Sequence, residues 1–135
     1  MVLKIEQQLA NHEGKERKLY KCTAGKWSIG IGRNLEDNGL SDDEIDYLFQ
    51  NDLKRVIKEL DTSVAWWRTK RENVRNVLID MCFNLGITRL LGFKRFLEAM
   101  KEDQYEKAID EMKDSLWYKQ VPNRVESLIS ILRNG

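Results

Sequence analysis

Residues 17–33 show a strand-like pattern, whereas apolar residues elsewhere in the chain mostly recur at helical spacing. Trp27, Ile29 and Ile31 alternate with a serine and two glycines, and a period of two is typical of a β-strand. Residues 23–25, Thr-Ala-Gly, supply turn residues just before this strand. The segment therefore predicts a β-hairpin whose second strand has an apolar face that carries Trp27 into the core.

Helix start signals and apolar stripes predict a largely helical body after the hairpin. Ser41-x-x-Glu44 is a capping box, and the stripe behind it predicts a helix through about residue 60. A second pair, Thr69-x-x-Glu72, predicts the start of the next helix in the same way. The remaining predicted elements are a polar loop at 36–40, a helix end at Gly86, an apolar connection at 90–93, helices at 93–101 and 104–113, and a last helix that begins at Pro122.

A short amphipathic helix is predicted at residues 2–12, before the hairpin. Val2, Ile5 and Leu9 fall on one helical face, which we expect to be packed. Gly14 follows as a helix stop, because glycine adopts positive φ without strain. The chain thus predicts an α+β fold in which a small N-terminal lobe precedes a helical bundle, with a cleft between them.

The composition excludes several classes of protein. The 23 basic residues nearly balance the 22 acidic residues, so the footprint of a strongly basic nucleic-acid-binding domain is absent. No apolar run is long enough to span a membrane, and the first ten residues lack the pattern of a secretory signal peptide. Two cysteines, Cys22 and Cys82, make no disulfide framework, and Cys82 fits a buried helical stripe. We expect a product made in a reducing cytoplasm, without stable membrane insertion.

Three side chains with catalytic chemistry stand out around the hairpin: Glu13, Cys22 and Ser28. Glu13 is predicted to end a helix, where the dipole disfavours a carboxylate and favours the protonated acid. The plain alternative for Glu13 is a solvated residue at a helix end. His12 is the single histidine of the chain, so the sequence contains no histidine-rich metal site. We predict no metal and no cofactor.

Several motifs in this order resemble the T-even phage type of lysozyme, glycoside hydrolase family 24. They are Glu13, the hairpin end W-S-I-G-I-G-R, N-V-L-I-D-M-C-F-N-L-G at 76–86, L-G-F at 91–93 and W-Y-K-Q-V-P-N-R at 117–124. The resemblance covers nearly the whole chain. It implies a single, mostly helical, two-lobed α+β domain of 135 residues, with an α+β lobe at 13–60 and a helical lobe at 1–12 and 62–135.

The resemblance also implies which residues form the site. In this family a glutamate, an aspartate or cysteine, and a threonine are catalytic, and Glu13, Cys22 and Ser28 stand at those positions. Arg33 stands where a histidine is usual. The other residues placed by the resemblance are the substrate contacts Asn34 and Phe83, the cleft positions Phe96 and Glu111, Arg124 beside the catalytic glutamate, and Gly30 as clearance for substrate.

Cys22 departs from the usual pair of carboxylates in a glycosidase. A free thiol has a pKa near ~8.5, so it carries little negative charge at neutral pH unless that pKa is lowered. Lys18, Lys21 and Lys26 are the candidates for lowering it. Two roles remain open for the thiol, activation of a water or direct attack on the anomeric carbon, and the inverting chemistry of the family favours the water. Ser28 would hold that water, or it merely caps the hairpin.

The function that the resemblance implies is hydrolysis of the β-1,4 bond between N-acetylmuramic acid and N-acetylglucosamine in peptidoglycan. We expect a monomeric phage endolysin that lyses the host and needs a holin to pass from the host cytoplasm to the wall. One alternative is a lytic transglycosylase, which forms an anhydro product without water. Another is a wall-binding module that kept the cleft and lost catalysis.

Overall fold

Residues 4–135 are described by the structure, a computed structural model, and they fall into two compact units. One unit ends at Leu48 and the other begins at Phe49. The predicted α+β fold class, mostly helical with a small sheet, is confirmed. The predicted assignment of residues 1–12 to the helical lobe, and of the lobe boundary near residue 60, stays a prediction.

The first unit contains a three-stranded antiparallel sheet and short helices. The strands lie in the order β1, β2, β3, with β2 in the middle. Its elements are α1 (Lys4–Glu13), β1 (Glu16–Lys21), β2 (Trp27–Gly30), β3 (Arg33–Asn34), α2 (Leu35–Asn38) and the beginning of α3 (Asp42–Ser63). The predicted polar loop at 36–40 therefore overlaps a four-residue helix, Leu35–Asn38, that the sequence pattern did not reveal.

The second unit contains the rest of α3 and a bundle of helices. These are a short 3-10 helix (Trp67–Thr69), α4 (Glu72–Leu85), α5 (Ile87–Gly92), α6 (Lys94–Lys101), α7 (Tyr105–Lys113), α8 (Leu116–Gln120) and α9 (Pro122–Asn134). The predicted start at Pro122 and the predicted end at Gly86, where φ is +84°, are confirmed. The predicted apolar connection at 90–93 is wrong, because residues 87–92 continue as a helix.

A tight turn joins β1 to β2 and confirms the predicted hairpin. The N–H of Cys22 donates to the carbonyl of Lys26 at 2.9 Å, and the N–H of Gly25 donates to the carbonyl of Cys22 at 2.8 Å. Gly25 has φ +78°, so the loop matches a three-residue hairpin turn that ends in the left-handed region. Any side chain at position 25 would be strained there.

The start of α3 shows the predicted capping box in full. The Ser41 N–H donates to Oε1 of Glu44 at 2.8 Å, and the Glu44 N–H donates to Oγ of Ser41 at 3.2 Å. The second predicted box is wrong, because α4 begins after Arg71, which caps it with no side-chain hydrogen bond. Thr69 instead donates its hydroxyl to the carbonyl of Trp66 at 2.6 Å and so ends the preceding 3-10 helix.

The apolar core lies in the second unit. Each helix from α3 to α9 contributes part of its apolar face, and the side chains are almost fully shielded from solvent. The core consists of Val56, Leu60, Val64, Trp67, Val74, Val77, Leu78, Met81, Cys82, Leu85, Leu90, Phe96, Ala99, Met100, Ala108, Ile109, Met112, Trp117, Val125, Leu128, Ile129 and Leu132. Cys82 is buried as predicted. Phe96 is buried as well, and it lines a cavity of about 330 Å³ together with Glu111, so the cleft positions that the resemblance gives these two residues stay a prediction.

Two predictions about burial in the first unit are wrong. The helix α1 is present, but Ile5 and Leu9 are 52% and 48% exposed, while Val2 lies outside the described residues. On β2 the faces are reversed, since Ser28 is 1% exposed and Trp27 is 45% exposed. The period-two pattern identified the strand. It did not identify the buried face, because the covered side of the strand carries polar and small residues instead of apolar ones.

None of the helices within residues 4–135 is long and apolar enough to cross a membrane.

Candidate active site

Glu13 is the last residue of α1, and two glycines define its surroundings. The N–H of Gly14 donates to the carbonyl of Ala10 at 2.9 Å, and its φ of +76° turns the chain away from the helix. The carboxyl group of Glu13 lies against Gly32, where a Cβ atom would come within 2.7 Å of Oε2. Gly32 also has φ +67°, a backbone conformation that favours glycine, so a side chain here would be strained and would displace the carboxyl group of Glu13.

Cys22 lies at the start of the hairpin turn and is partly exposed. Its pKa is lowered chiefly by the backbone N–H groups of Lys26 and Ala24, which donate hydrogen bonds to the sulfur, and further by the Ser28 hydroxyl. Partial burial acts in the opposite direction, since it disfavours the thiolate. The turn thus stabilises a negative charge on the sulfur through hydrogen-bond donors that belong to the turn itself.

Two of the three lysines that the sequence suggested for this task, Lys21 and Lys26, have other partners. The amine of Lys26 pairs with Oε2 of Glu36 at 3.4 Å and with Oδ1 of Asp37 at 3.3 Å. The amine of Lys21 lies 5.0 Å from the ring centroid of Trp27, in a cation–π contact. The hypothesis that lysine charges lower the pKa of Cys22 is therefore replaced by hydrogen bonding, with the backbone of Lys26 as the largest contributor.

Ser28 is buried in the middle strand, directly beside the cysteine. It pairs with Tyr20 on β1 and with Asn34 on β3, and its Oγ donates to the carbonyl of Lys26 at 3.1 Å. A hydroxyl has one proton, so the carbonyl of Lys26 and the sulfur of Cys22 compete for it. The structure therefore joins Ser28 to Cys22, as the sequence predicted for a common site. Whether Ser28 also holds a water stays a prediction.

Asn34 and Arg33 of β3 both have structural partners. Asn34 caps α2, since its Oδ1 accepts the Asp37 N–H at 3.0 Å and its Nδ2 donates to Oδ2 of Asp37 at 3.0 Å. Arg33 forms a two-pronged ion pair with Glu44 and donates to the carbonyl of Gly39 at 3.1 Å. The predicted sugar contact of Asn34 stays a prediction, and it would have to compete with this cap.

Gly30 ends β2 with φ +69° and open space where a side chain would lie. The backbone conformation alone accounts for glycine at this position. Its predicted role as clearance for substrate agrees with the open space but is not tested by it.

Phe83 and Arg124 belong to the second unit and line one cavity there. Its volume is about 340 Å³, and it is lined by Phe49, Leu53, Asn76, Ile79, Asp80, Phe83 and Arg124. Phe83 is 40% exposed and packs against Phe49, with ring centroids 5.9 Å apart. Nε of Arg124 donates to Oδ1 of Asp80 at 2.8 Å. An exposed aromatic ring beside polar groups suits a sugar, while the predicted contact of Arg124 with Glu13 stays a prediction.

Sequence reasoning missed two residues of the site. Gly32 lies beside the carboxyl group of Glu13, and Glu36 binds the amine of Lys26 and the N–H of Trp27. The glycine could have been found from the G-I-G-R motif at the end of the hairpin. Glu36 had no recognisable signal, because the helix that carries it was not predicted.

Glu13, Cys22 and Ser28 bring a carboxyl group, a thiol and a buried hydroxyl into one small α+β unit. These are groups that acid-assisted hydrolases use. Within residues 4–135 no three histidine, cysteine or acidic side chains lie together in a way that could hold a metal ion.

Comparisons with known proteins identify the family. Residues 10–132 match the family model described as phage lysozyme. The chain aligns along its whole length with the probable T4-type lysozyme 1 of Dictyostelium discoideum, 29% identical over 164 residues and 96% of that protein. It is also 26% identical to the pre-baseplate central spike protein Gp5 of Enterobacteria phage T4, across 98% of this chain and 28% of that protein. An endolysin of Acyrthosiphon pisum secondary endosymbiont phage 1 is 26% identical over 84 residues, 59% of this chain and 56% of that protein.

The chain belongs to the phage lysozyme family. This confirms the resemblance that the sequence motifs indicated. It assigns the chain to the lysozyme-like peptidoglycan hydrolases, with glycosidase activity as the chemistry of the family.

Proposed function

We propose that this protein is a muramidase, which hydrolyses the β-1,4 bond between N-acetylmuramic acid and N-acetylglucosamine. The observation that carries the proposal is that one unit contains Glu13 at the end of α1, the Cys22 thiol with its lowered pKa in the hairpin turn, and the buried Ser28 on β2. A glycosidase needs an acid for the leaving oxygen and a second group that assists the attacking water. Glu13 and Cys22 supply these two functions.

In the proposed reaction Glu13 donates its proton to the glycosidic oxygen as the bond to the anomeric carbon breaks. A water adds to that carbon from the opposite side and gives its proton to the thiolate of Cys22. Glu13 ends as a carboxylate and Cys22 as a thiol, so one proton is transferred back through solvent before the next cycle. Ser28 orients the water when its hydroxyl is not bonded to the carbonyl of Lys26.

The thiol is a workable base only because its surroundings stabilise the thiolate. A general base is most effective when its pKa lies near the working pH, and the donors around Cys22 shift its pKa in that direction.

The test is mass spectrometry of the muropeptides released from purified peptidoglycan in water enriched in ¹⁸O. A muramidase releases reducing N-acetylmuramic acid ends that carry one ¹⁸O atom from the solvent. A lytic transglycosylase would release 1,6-anhydro ends with no added water, and a wall-binding module would release nothing. Either of these two outcomes contradicts the proposal.

Alkylation tests the thiol separately from the acid. In a Cys82→Ala background, iodoacetamide reaches only Cys22, and we expect the modified protein to lose nearly all hydrolysis. The unmodified Cys82→Ala protein is the control, since Cys82 is buried in the core of the second unit. An undiminished rate after complete alkylation would show that the thiol is dispensable.

We further propose that the protein acts as a monomeric phage endolysin, held in the host cytoplasm until a holin opens the membrane. The phage endolysin among its relatives and the family assignment support this role. Production in a bacterial host should leave the cells intact until chloroform or a co-expressed holin permeabilises the inner membrane. Lysis without permeabilisation would overturn the need for a holin.

A further inference from the structure

Glu36 bridges two consecutive residues at the start of β2. Its Oε1 accepts the backbone N–H of Trp27 at 3.3 Å, and its Oε2 accepts the amine of Lys26 at 3.4 Å. Asp37, the next residue of α2, also pairs with the amine of Lys26, at 3.3 Å. These side chains are about two-fifths to one-half exposed, so the ion pairs by themselves contribute little stability. Together, these contacts hold the start of β2 in position after the hairpin turn.

Lys26 also contacts both Cys22 and Ser28 through its backbone. Its carbonyl accepts the N–H of Cys22 at 2.9 Å and the hydroxyl of Ser28 at 3.1 Å. Hydrogen bonding by its backbone is also the largest cause of the lowered pKa of Cys22. A shift of this one residue would therefore alter hydrogen bonds to the sulfur, to the backbone of Cys22 and to Ser28 together.

We propose that Glu36 is a positioning residue for the Cys22 thiol, and that it acts by holding Lys26 and Trp27 so that the backbone of Lys26 keeps its contacts with Cys22 and Ser28. Its importance for catalysis rests on the proposed function, in which the thiolate accepts a proton from water. The positioning effect itself is a property of the free protein.

Charge and position act on the thiol in opposite directions, which makes the inference testable. A carboxylate near a thiol repels the thiolate, so removal of its charge lowers the pKa of the thiol. Loss of a donor to the sulfur raises that pKa. The charged groups around this turn, within the described part of the chain, are Lys21 from β1, Lys26, and Glu36 and Asp37 from α2. The direction of the shift therefore shows which effect dominates.

The experiment measures the pH midpoint of Cys22 reactivity with iodoacetamide in the Cys82→Ala protein, with and without changes at Glu36. The midpoint is used rather than one rate, because thiolate nucleophilicity itself changes with pKa. Glu36→Ala removes the charge and both contacts, whereas Glu36→Gln removes the same charge and keeps one acceptor oxygen. We expect Glu36→Ala to raise the midpoint by about half a pH unit or more, and Glu36→Gln to raise it clearly less.

Two further variants complete the comparison. Glu36→Asp keeps the charge and shortens the side chain by one methylene, so we expect its midpoint to rise as well. If Glu36→Ala does not fold, the midpoint of Glu36→Asp tests the proposal instead. Asp42→Asn removes a charge at the start of α3 that is not one of the ion-pair partners of Lys26, and it should leave the midpoint where it was. Equal shifts in Glu36→Ala and Glu36→Gln, a downward shift, or an unchanged midpoint in Glu36→Asp would overturn the proposal.

The outcome is separable from that of the proposed function, because the midpoint is measured without substrate. Anhydro muropeptides together with a raised midpoint in Glu36→Ala would overturn the muramidase and keep the positioning role. If the muramidase holds, the acidic limb of its pH–kcat profile should move upward with the thiol midpoint in Glu36→Ala. A profile that stays in place while the midpoint moves would remove the thiolate from the catalytic step.

Discussion

The two units of this protein are stabilised in different ways. From Phe49 onward, the helices share a core of large aliphatic, aromatic and sulfur-containing side chains that are almost completely buried. Up to Leu48, the single buried residue among those described is Ser28. Here the backbone is fixed by a hairpin turn, a capping box and exposed ion pairs.

The difference indicates a division between stability and chemistry. Apolar burial supplies most of the folding free energy of a domain, so the second unit carries most of the stability. The first unit carries Glu13, Cys22 and Ser28 on elements that polar contacts and glycine geometry hold in place. A region with few buried apolar contacts opens more readily, so we expect faster hydrogen exchange in the hairpin than in α4.

The largest expected effect of a single change is the loss of activity in Glu13→Gln. Glutamine keeps the size of the side chain and its contact with Gly32 but cannot donate the proton that the leaving oxygen needs. We expect hydrolysis of purified cell walls to fall by about 10²- to 10⁴-fold. The free energy of unfolding, measured in urea, should be almost unchanged, because Glu13 is exposed. Retained activity would remove Glu13 from the role of acid.

A substitution in the core should show the opposite result. Leu78 is fully buried, so Leu78→Ala leaves a cavity and should lower the free energy of unfolding by about 2–5 kcal/mol. Ile31 is 51% exposed in the first unit, and Ile31→Ala should cost less than about 1 kcal/mol. Urea denaturation followed by circular dichroism compares the two. Similar losses would contradict the division between the units.

The helical part of the fold could be predicted because local signals there agree with burial. Ser41 and Glu44 formed the capping box that their spacing indicated, and Pro122 began a helix. A stripe such as Val74, Val77 and Leu78 faces the core because a helix with one apolar side has one way to bury it.

The site was harder to predict because it depends on exceptions to these patterns. Ser28 is buried and Trp27 exposed, since hydrogen bonds to Lys26 and Cys22, rather than hydrophobicity, determine which face is covered. Gly32 accommodates the carboxyl group of Glu13, a contact that exists only after the chain has folded. Sequence motifs gave the candidate residues, while their partners required coordinates.

Gly32 and Gly39 provide a matched test within the first unit, because only one of them lies beside Glu13. Gly32→Ala places a methyl group against the carboxyl group of Glu13, whereas Gly39→Ala places one in open space. Both positions have positive φ, so each variant should lose about 1–2 kcal/mol of stability. Displacement of the acid should in addition lower kcat of Gly32→Ala by about 10- to 100-fold. Equal activity in the two folded variants would show that glycine is needed at position 32 only for its backbone conformation.

The smallest expected effect is a change in acid sensitivity from Glu44→Gln. The hydrogen bonds from Arg33, and then from the Ser41 N–H, lower the pKa of Glu44 to about 2, below the value of about 4.3 for an unperturbed glutamate. A carboxylate with a lowered folded-state pKa stabilises the fold at pH values above its unfolded-state pKa, and this contribution is lost as the pH falls from about 4.3 toward 2.

Glutamine at position 44 keeps an acceptor for the capping box and loses the ion pair. The variant should therefore be less stable at pH 7 and should lose less stability on acidification. Urea midpoints at pH 7, 4 and 2.5, followed through NMR signals of residues 41–44, measure the difference. Parallel acid transitions in the two proteins would show that the pair of Arg33 and Glu44 contributes nothing to the stability of the first unit.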